Sequence, residues 1–313
     1  MDMKKSADMV INTCMGAKEG ETVLIVTDTC TDEKITKALY TSAVDAGCEA
    51  LLLTMEPRAQ HGAEPPALVE EAMKNADVLL APASKSLTHT KARKHASENG
   101  TRTATMPGIT IGMMEEGGLN ADYEKINSLA DELLETLKGS KEVRITTELG
   151  TDLVIDVDGG EWMADTGMCQ EKGQTTNLPA GEMYIAPKNV NGKAVIDGSM
   201  AGIGLLEEPL VIDIRDRKAV SFEGEGAEKL EEMVNRVEPD GRNIAELGIG
   251  INSAAMLIGV ILEDEKVGGT IHIALGDNST FGGDVSVDLH LDGIITGPKV
   301  LVDGKDLKVE RFA

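Results

Sequence analysis

Between residues 21 and 106 the chain alternates near-continuous β-branched runs with segments of helical spacing. That alternation narrows its possible folds more than any other feature. Residues 22–28 (TVLIVTD) read as a strand. Residues 31–46 place Ile35, Ala38, Leu39 and Ala43 on one helical face. Strand-like 48–54 (CEALLLT), helical 66–75, strand-like 77–81 (DVLLA), helical 88–99 and strand-like 101–106 follow in turn. Pro66 suits a first helical turn and Gly100 a helix stop. Repeated β-α units whose strands are apolar throughout indicate a mainly parallel sheet covered on both faces. Residues 121–137 make a closing helix, and Gly139-Ser140-Lys141 a polar joint.

After about residue 142 the pattern changes. Short alternating strands follow at 142–147, 152–157, 182–186, 193–198, 210–215 and 218–224, with Asp216-Arg217 as a tight turn and a helix over 225–235. The expectation is an α/β chain: an N-terminal mainly parallel α/β sandwich domain (1–140), then an antiparallel-rich α+β metal-binding domain (141–313).

The first strand is followed by Asp28-Thr29-Cys30-Thr31-Asp32. This is neither GxGxxG nor a P-loop, so a nucleotide reading lacks its phosphate cradle. Asp plus Glu number 54 against 30 Lys plus Arg, a formal net charge of −24. That charge repels nucleic acid and anionic membrane, and both are excluded as partners. No run approaches the ~18 apolar residues of a membrane span. The N-terminal stretch reads as an amphipathic helix and not a signal peptide. Cys14, Cys30, Cys48 and Cys169 show no CxxC spacing, which fits reduced thiols in a cytoplasmic protein.

The chemistry concentrates in residues 270–293. His272 lies in an alternating run (270–275). His290 and Asp292 lie two apart in a second one (285–292), so their side chains share a face. The Gly-rich segment 276–283 can fold the first strand back beside the second. Two imidazoles and a carboxylate would then converge, a divalent-metal signature. Two further carboxylates stand out by position. Glu182 opens a strand after the turn 177–181, and Glu246 is a lone charge in an apolar run. Glu263-Asp264-Glu265 reads as a solvated turn. His89 sits beyond the third strand, at the end of the sheet where α/β ligands bind; the alternative is a solvated residue in the first turn of a helix capped by Ser86 or Thr88. His61 and His95 are assigned no role.

At these residues the chain resembles the thermophilic metalloprotease family of metallo-aminopeptidases, the aminopeptidase T type. NLPAGEMYIAP (177–187), AELGIGIN (245–252), TIHIALG (270–276) and HLDG (290–293) are similar, in order, to that family's ligand segments. The resemblance implies the ligands Glu182, Glu246, His272, His290 and Asp292 around two divalent ions, zinc or cobalt. It also implies a homodimer and hydrolysis of N-terminal residues from peptides by a metal-bridged water, with Glu246 as the proton shuttle; His89 is kept as a further candidate catalytic residue from its place beyond the third strand. Ser279 stands where the peptidases carry a tyrosine that stabilises the oxyanion.

A second resemblance is to non-haem Fe(II) ring-opening dioxygenases of the dihydroxypyridine type. There His272, His290 and Asp292 would form a facial triad on a single iron, with His89 as the first-domain histidine. This reading is placed second, because Glu182 and Glu246 suit two hard cations and few aromatics are available to stack on a ring. A third reading is a metal-binding protein without turnover.

Overall fold

The computed structural model describes residues 3–313, which form two compact units. The first runs to Asn127 and takes in Asp165–Ala180. The second comprises Ser128–Ala164 and Gly181–Ala313. Where the sequence suggests a single boundary near residue 140, the chain passes between the units at 127, at 164 and again at 180. The returning segment carries the strand Thr175–Asn177, which pairs in parallel with Arg102–Thr105. Three residues are too short a run to carry a period, so this pairing cannot be read locally.

The first unit holds a five-stranded sheet in the order Glu49–Met55, Thr22–Asp28, Val78–Ala81, Arg102–Thr105, Thr175–Asn177, with every pairing parallel. Central strands are buried along their length, as their continuous apolar character requires. The edge strand Glu49–Met55 departs from that expectation: Leu51 and Leu52 are nearly half exposed. The helices run Glu33–Asp45, Ala67–Lys74 and Lys91–Glu98. The last starts three residues later than its apolar spacing suggests. Thr90 caps it, accepting from the Arg93 amide. At the carboxyl end of the sheet Asp28, also buried, accepts from the Ser84 amide and hydroxyl, both at 2.7 Å, and ties two loops together.

The second unit is built on two seven-stranded sheets. One orders Lys218–Gly224, Leu210–Arg215, Asn189–Ile196, Asp152–Asp156, Glu142–Thr146, Lys299–Val302 and Lys305–Asp306. Asp216 and Arg217 close its tightest turn with φ of 49° and 63°, the left-handed pair that a two-residue hairpin needs. The other sheet orders Gly204–Leu205, Ser199–Met200, His290–Ile295, Ile271–Gly276, Ile244–Gly250, Glu182–Ile185 and Met163–Asp165. Its four middle members pair antiparallel. An N-terminal parallel α/β sheet is thus followed by antiparallel sheets, as the change of pattern near residue 142 implies.

The second site strand begins later than its alternation suggests. Residues 285–289 are not strand, and pairing starts at His290. The reason is polar. Buried Asn278 accepts from the Val285 amide at 2.9 Å, and the Asp277 carboxylate accepts from the Val287 amide at 3.3 Å. Those amides are satisfied inside the loop and have no need of a ladder.

Candidate metal centre

The register of the second sheet builds the site. His272 lies opposite Gly248, which lies opposite Tyr184 on its other side. Asp292 lies opposite Ala274, which lies opposite Glu246. Gly276 faces His290, and Gly250 faces Glu182. Strand side chains alternate, so the even-numbered positions of four strands share one face. That face carries His290, Asp292, His272, Glu246, Glu182 and Tyr184. The odd-numbered face carries Ile271, Ile273, Leu275, Leu247, Ile249, Met183 and Ile185, all buried. Ala274, Gly276, Gly248 and Gly250 space the functional groups apart. Gly248 is needed as such, because a Cβ there would fall inside the His272 imidazole.

The five expected ligands therefore come together within the second unit. His272 Nε2 lies 3.2 Å from Glu246 Oε1 and 3.3 Å from Glu182 Oε2. His290 Nε2 lies 3.4 Å from Glu246 Oε2 and 3.4 Å from Asp292 Oδ1. Two potential ligand triads result, Glu182/Glu246/His272 and Glu246/His290/Asp292, with Glu246 common to both. His290 Nδ1 donates to the Asp277 carbonyl at 2.8 Å, which fixes the tautomer and turns Nε2 toward the carboxylates. His89 belongs to the first unit, exposed in the turn before Lys91–Glu98.

The electrostatics ask for positive charge. Burial works against a charged His272, yet Glu246, Glu182 and Asp292 outweigh it and lift the imidazole to about 9. Burial is likewise outweighed at His290, which Asp292 and Glu246 hold well above the ordinary histidine value. Burial also opposes ionisation of Glu246, but the two imidazoles hold its carboxyl far below the usual range. At Glu182 burial prevails, pushing the carboxyl up to about 8 against the pull of Lys266. Asp292 Oδ1 and His272 Nδ1 are among the buried side-chain atoms that make no hydrogen bond. A buried carboxylate oxygen without a donor costs roughly 1–3 kcal/mol or more. Buried N/O donors, excess negative charge and an unsatisfied carboxylate oxygen together fit a divalent cation.

Several residues at the site carry no clear sequence signal. Lys266 is fully buried, its ammonium 2.5 Å from both Glu182 Oε1 and Glu265 Oε1. The expected solvated turn at 263–265 is instead interior: Glu263 and Asp264 are fully buried. Asp264 accepts from the Ser199 hydroxyl at 2.6 Å and from the Ile258 and Gly259 amides. Glu263 accepts from the Met256 amide. These carboxylates serve backbone amides of an irregular loop, a demand visible only once the loop is folded. Phe281 stands edge-on to both Tyr184 and His290, at 5.7 and 6.0 Å between centroids. Although the chain has few aromatics, two of them stand at this site. Ser279 is exposed and donates to the Asp277 carboxylate at 2.9 Å.

Comparison with known proteins bears on the reaction. The family model described as NicX, 2,5-dihydroxypyridine 5,6-dioxygenase, matches residues 2–310. No curated protein sequence matches the chain. Among solved structures, the 2,5-dihydroxypyridine dioxygenase of Pseudomonas putida KT2440 is similar with a TM-score of 0.81 at 17% identity, over 97% of this chain and 94% of that one. Wild-type AmpT of Thermus thermophilus is similar with a TM-score of 0.71 at 18% identity, over 97% and 96%. At these identities the structures share the fold. The family match overturns the expectation of a metallo-aminopeptidase, and with it the hydrolase and metalloprotease assignments. The ordered motifs are positions on a scaffold common to both kinds of protein. They mark a candidate metal-binding face and leave the reaction open.

Among the described residues no helix is long and apolar enough to cross a membrane. The four cysteines are free thiols, with Cys30 exposed and the others buried.

Proposed function

The chain belongs to the 2,5-dihydroxypyridine 5,6-dioxygenase family, and on that premise we propose that it is an oxidoreductase that opens a dihydroxylated pyridine-type ring with dioxygen. The observation that carries this is the family match over residues 2–310, supported by a strand face on which Glu246 joins His272 to His290 and Asp292. Two histidines and one carboxylate with open positions are the donor set of non-haem Fe(II) oxygenases. In this reading His272, His290 and Asp292 hold one ferrous ion.

Bound ferrous ion supplies the one-electron chemistry by which triplet dioxygen and an electron-rich ring can combine, a step that side chains alone do not perform. The remaining tasks fall to the protein. His290 is oriented by the Asp277 carbonyl. Glu246 spans the two imidazoles and holds both rings in place with its two oxygens. Phe281 and Tyr184 offer apolar edges to a planar substrate. Both oxygen atoms enter the product as one ring carbon–carbon bond breaks, so no external reductant is consumed.

The test is oxygen uptake by chain loaded anaerobically with Fe(II). One oxygen consumed per 2,5-dihydroxypyridine, with loss of the ring's ultraviolet absorbance, supports the reading. Iron bound at one per chain with no uptake on any dihydroxypyridine would sink it.

A further inference from the structure

We infer that Lys266 sets the number of metal ions this centre takes: its buried ammonium serves as a built-in second cation and leaves the site with charge for one divalent ion. The inference rests on the proposed metal centre and deepens it.

Lysine is almost never fully buried without a partner. Here the chain goes to some length to bury one. The Asn252 amide donates to the Lys266 carbonyl at 2.9 Å, and the Lys266 amide to the Glu263 carbonyl at 3.1 Å. Gly250, the register partner of Glu182, has no side chain, and a Cβ there would collide with the Val267 carbonyl. The bare strand thus lets the 266–267 backbone come against it. The ammonium then reaches Glu182 Oε1 and Glu265 Oε1, while the other oxygen of Glu182 faces His272.

The charge balance follows. Glu182, Glu246, Glu265 and Asp292 are four carboxylates in and beside the cluster, and with neutral imidazoles Lys266 is the cation among them. One divalent ion leaves a net charge of about −1. Two would bring the total to about +1 with the ammonium included, and the second ion would have to share Glu182 with an ammonium already 2.5 Å from its Oε1, where like charges repel strongly because little water screens them. Without Lys266, four carboxylates match two divalent ions. The lysine thus takes up Glu182, one of the two carboxylates that would otherwise argue for a dinuclear site.

The experiment counts ions. Metal-free chain is titrated with zinc, a redox-inert probe, and bound ions are counted by native mass spectrometry and calorimetry. Wild type should take one tight ion, Lys266→Arg one, and Lys266→Met two. Wild type taking two tight ions overturns the inference while leaving the metal centre intact. So does a Lys266→Met chain with native circular dichroism that still takes one. Should Lys266→Met fail to fold, Glu265→Gln decides. It leaves the ammonium less neutralised and should weaken the first ion by about tenfold or more; unchanged affinity overturns the inference. Wild type that takes no ion removes the metal centre itself, and this inference with it.

Discussion

The imidazole of His272 lies against the bare backbone of Gly248, its register partner on the neighbouring strand. A glycine in a central strand ordinarily weakens the sheet. Here it makes the space that the His272 imidazole occupies, with its Nε2 toward Glu246. Gly248→Ala should therefore displace His272. Metal affinity should fall by roughly 10–100-fold, as for loss of a ligand's orienting partner. Stability should fall by about 1–3 kcal/mol through overpacking. Calorimetric titration and urea unfolding measure the two effects. Retained affinity in a folded Gly248→Ala chain would remove His272 from the ligand set.

The loop that aims His290 is held by Asn278, whose carboxamide oxygen accepts from the Val285 amide. Asn278→Ala leaves that amide without its partner and loosens the Asp277 carbonyl that orients the ring. A cost of about 1–3 kcal/mol is expected, read as a lower urea midpoint, with weaker metal binding. An Asn278→Ala chain of unchanged midpoint would show that the loop holds itself.

In metal-free protein the site should make stability depend on pH. His272 is lifted to about 9, above the ordinary value near 6.5 of an unfolded histidine. The folded state therefore binds the proton more tightly. This stabilisation is complete below about pH 6.5 and is lost as pH rises through about 9. The raised carboxyl of Glu182 acts in the same sense. Urea midpoints of metal-free chain should fall between pH 6.5 and 9, and a divalent ion, which needs neutral imidazoles, should flatten the profile and release protons on binding. Midpoints that rise over this range would contradict the assignment.

Asp264 shows that the 263–265 carboxylates are structural. It accepts two backbone amides and the Ser199 hydroxyl in the interior. Asp264→Ala should destabilise by about 1–3 kcal/mol for each donor left unmet. A surface carboxylate would lose within about 0.5 kcal/mol, so thermal melts separate the two cases.

Phe281 stands edge-on to His290 and Tyr184. Phe281→Ala should raise KM for a pyridine-type ring by several-fold, given about 0.5–1.5 kcal/mol for one aromatic contact, with the ferrous affinity unchanged. Steady-state oxygen uptake beside an iron titration tests both halves. Equal KM values would place the ring elsewhere.

Most of the fold was legible because its signals are local. The β-branched runs of the first unit and the period-two alternation of the second each stay within a few residues, and the change near residue 142 separates them. The short strand Thr175–Asn177 and the loop 285–289 were not, because their pairing depends on partners far along the chain or on side chains that compete for amides. The resemblance to peptidases misled for a related reason. Short ordered motifs can follow the scaffold, and a shared fold does not by itself fix the reaction.

By itself the sequence determined that His290 and Asp292 share a face and that His272 follows the same alternation, since strand geometry makes both statements from spacing alone. Tertiary structure decided the rest of the centre. It set the register that brings Glu246 between the imidazoles and Glu182 onto the same face, from strands tens of residues away. It also decided which charges are buried. Glu265 reads in sequence as part of a solvated turn, and Lys266 beside it carries no signal of its own. In the folded chain they lie at the metal face, because a charge can stay out of water only where the fold supplies its partner.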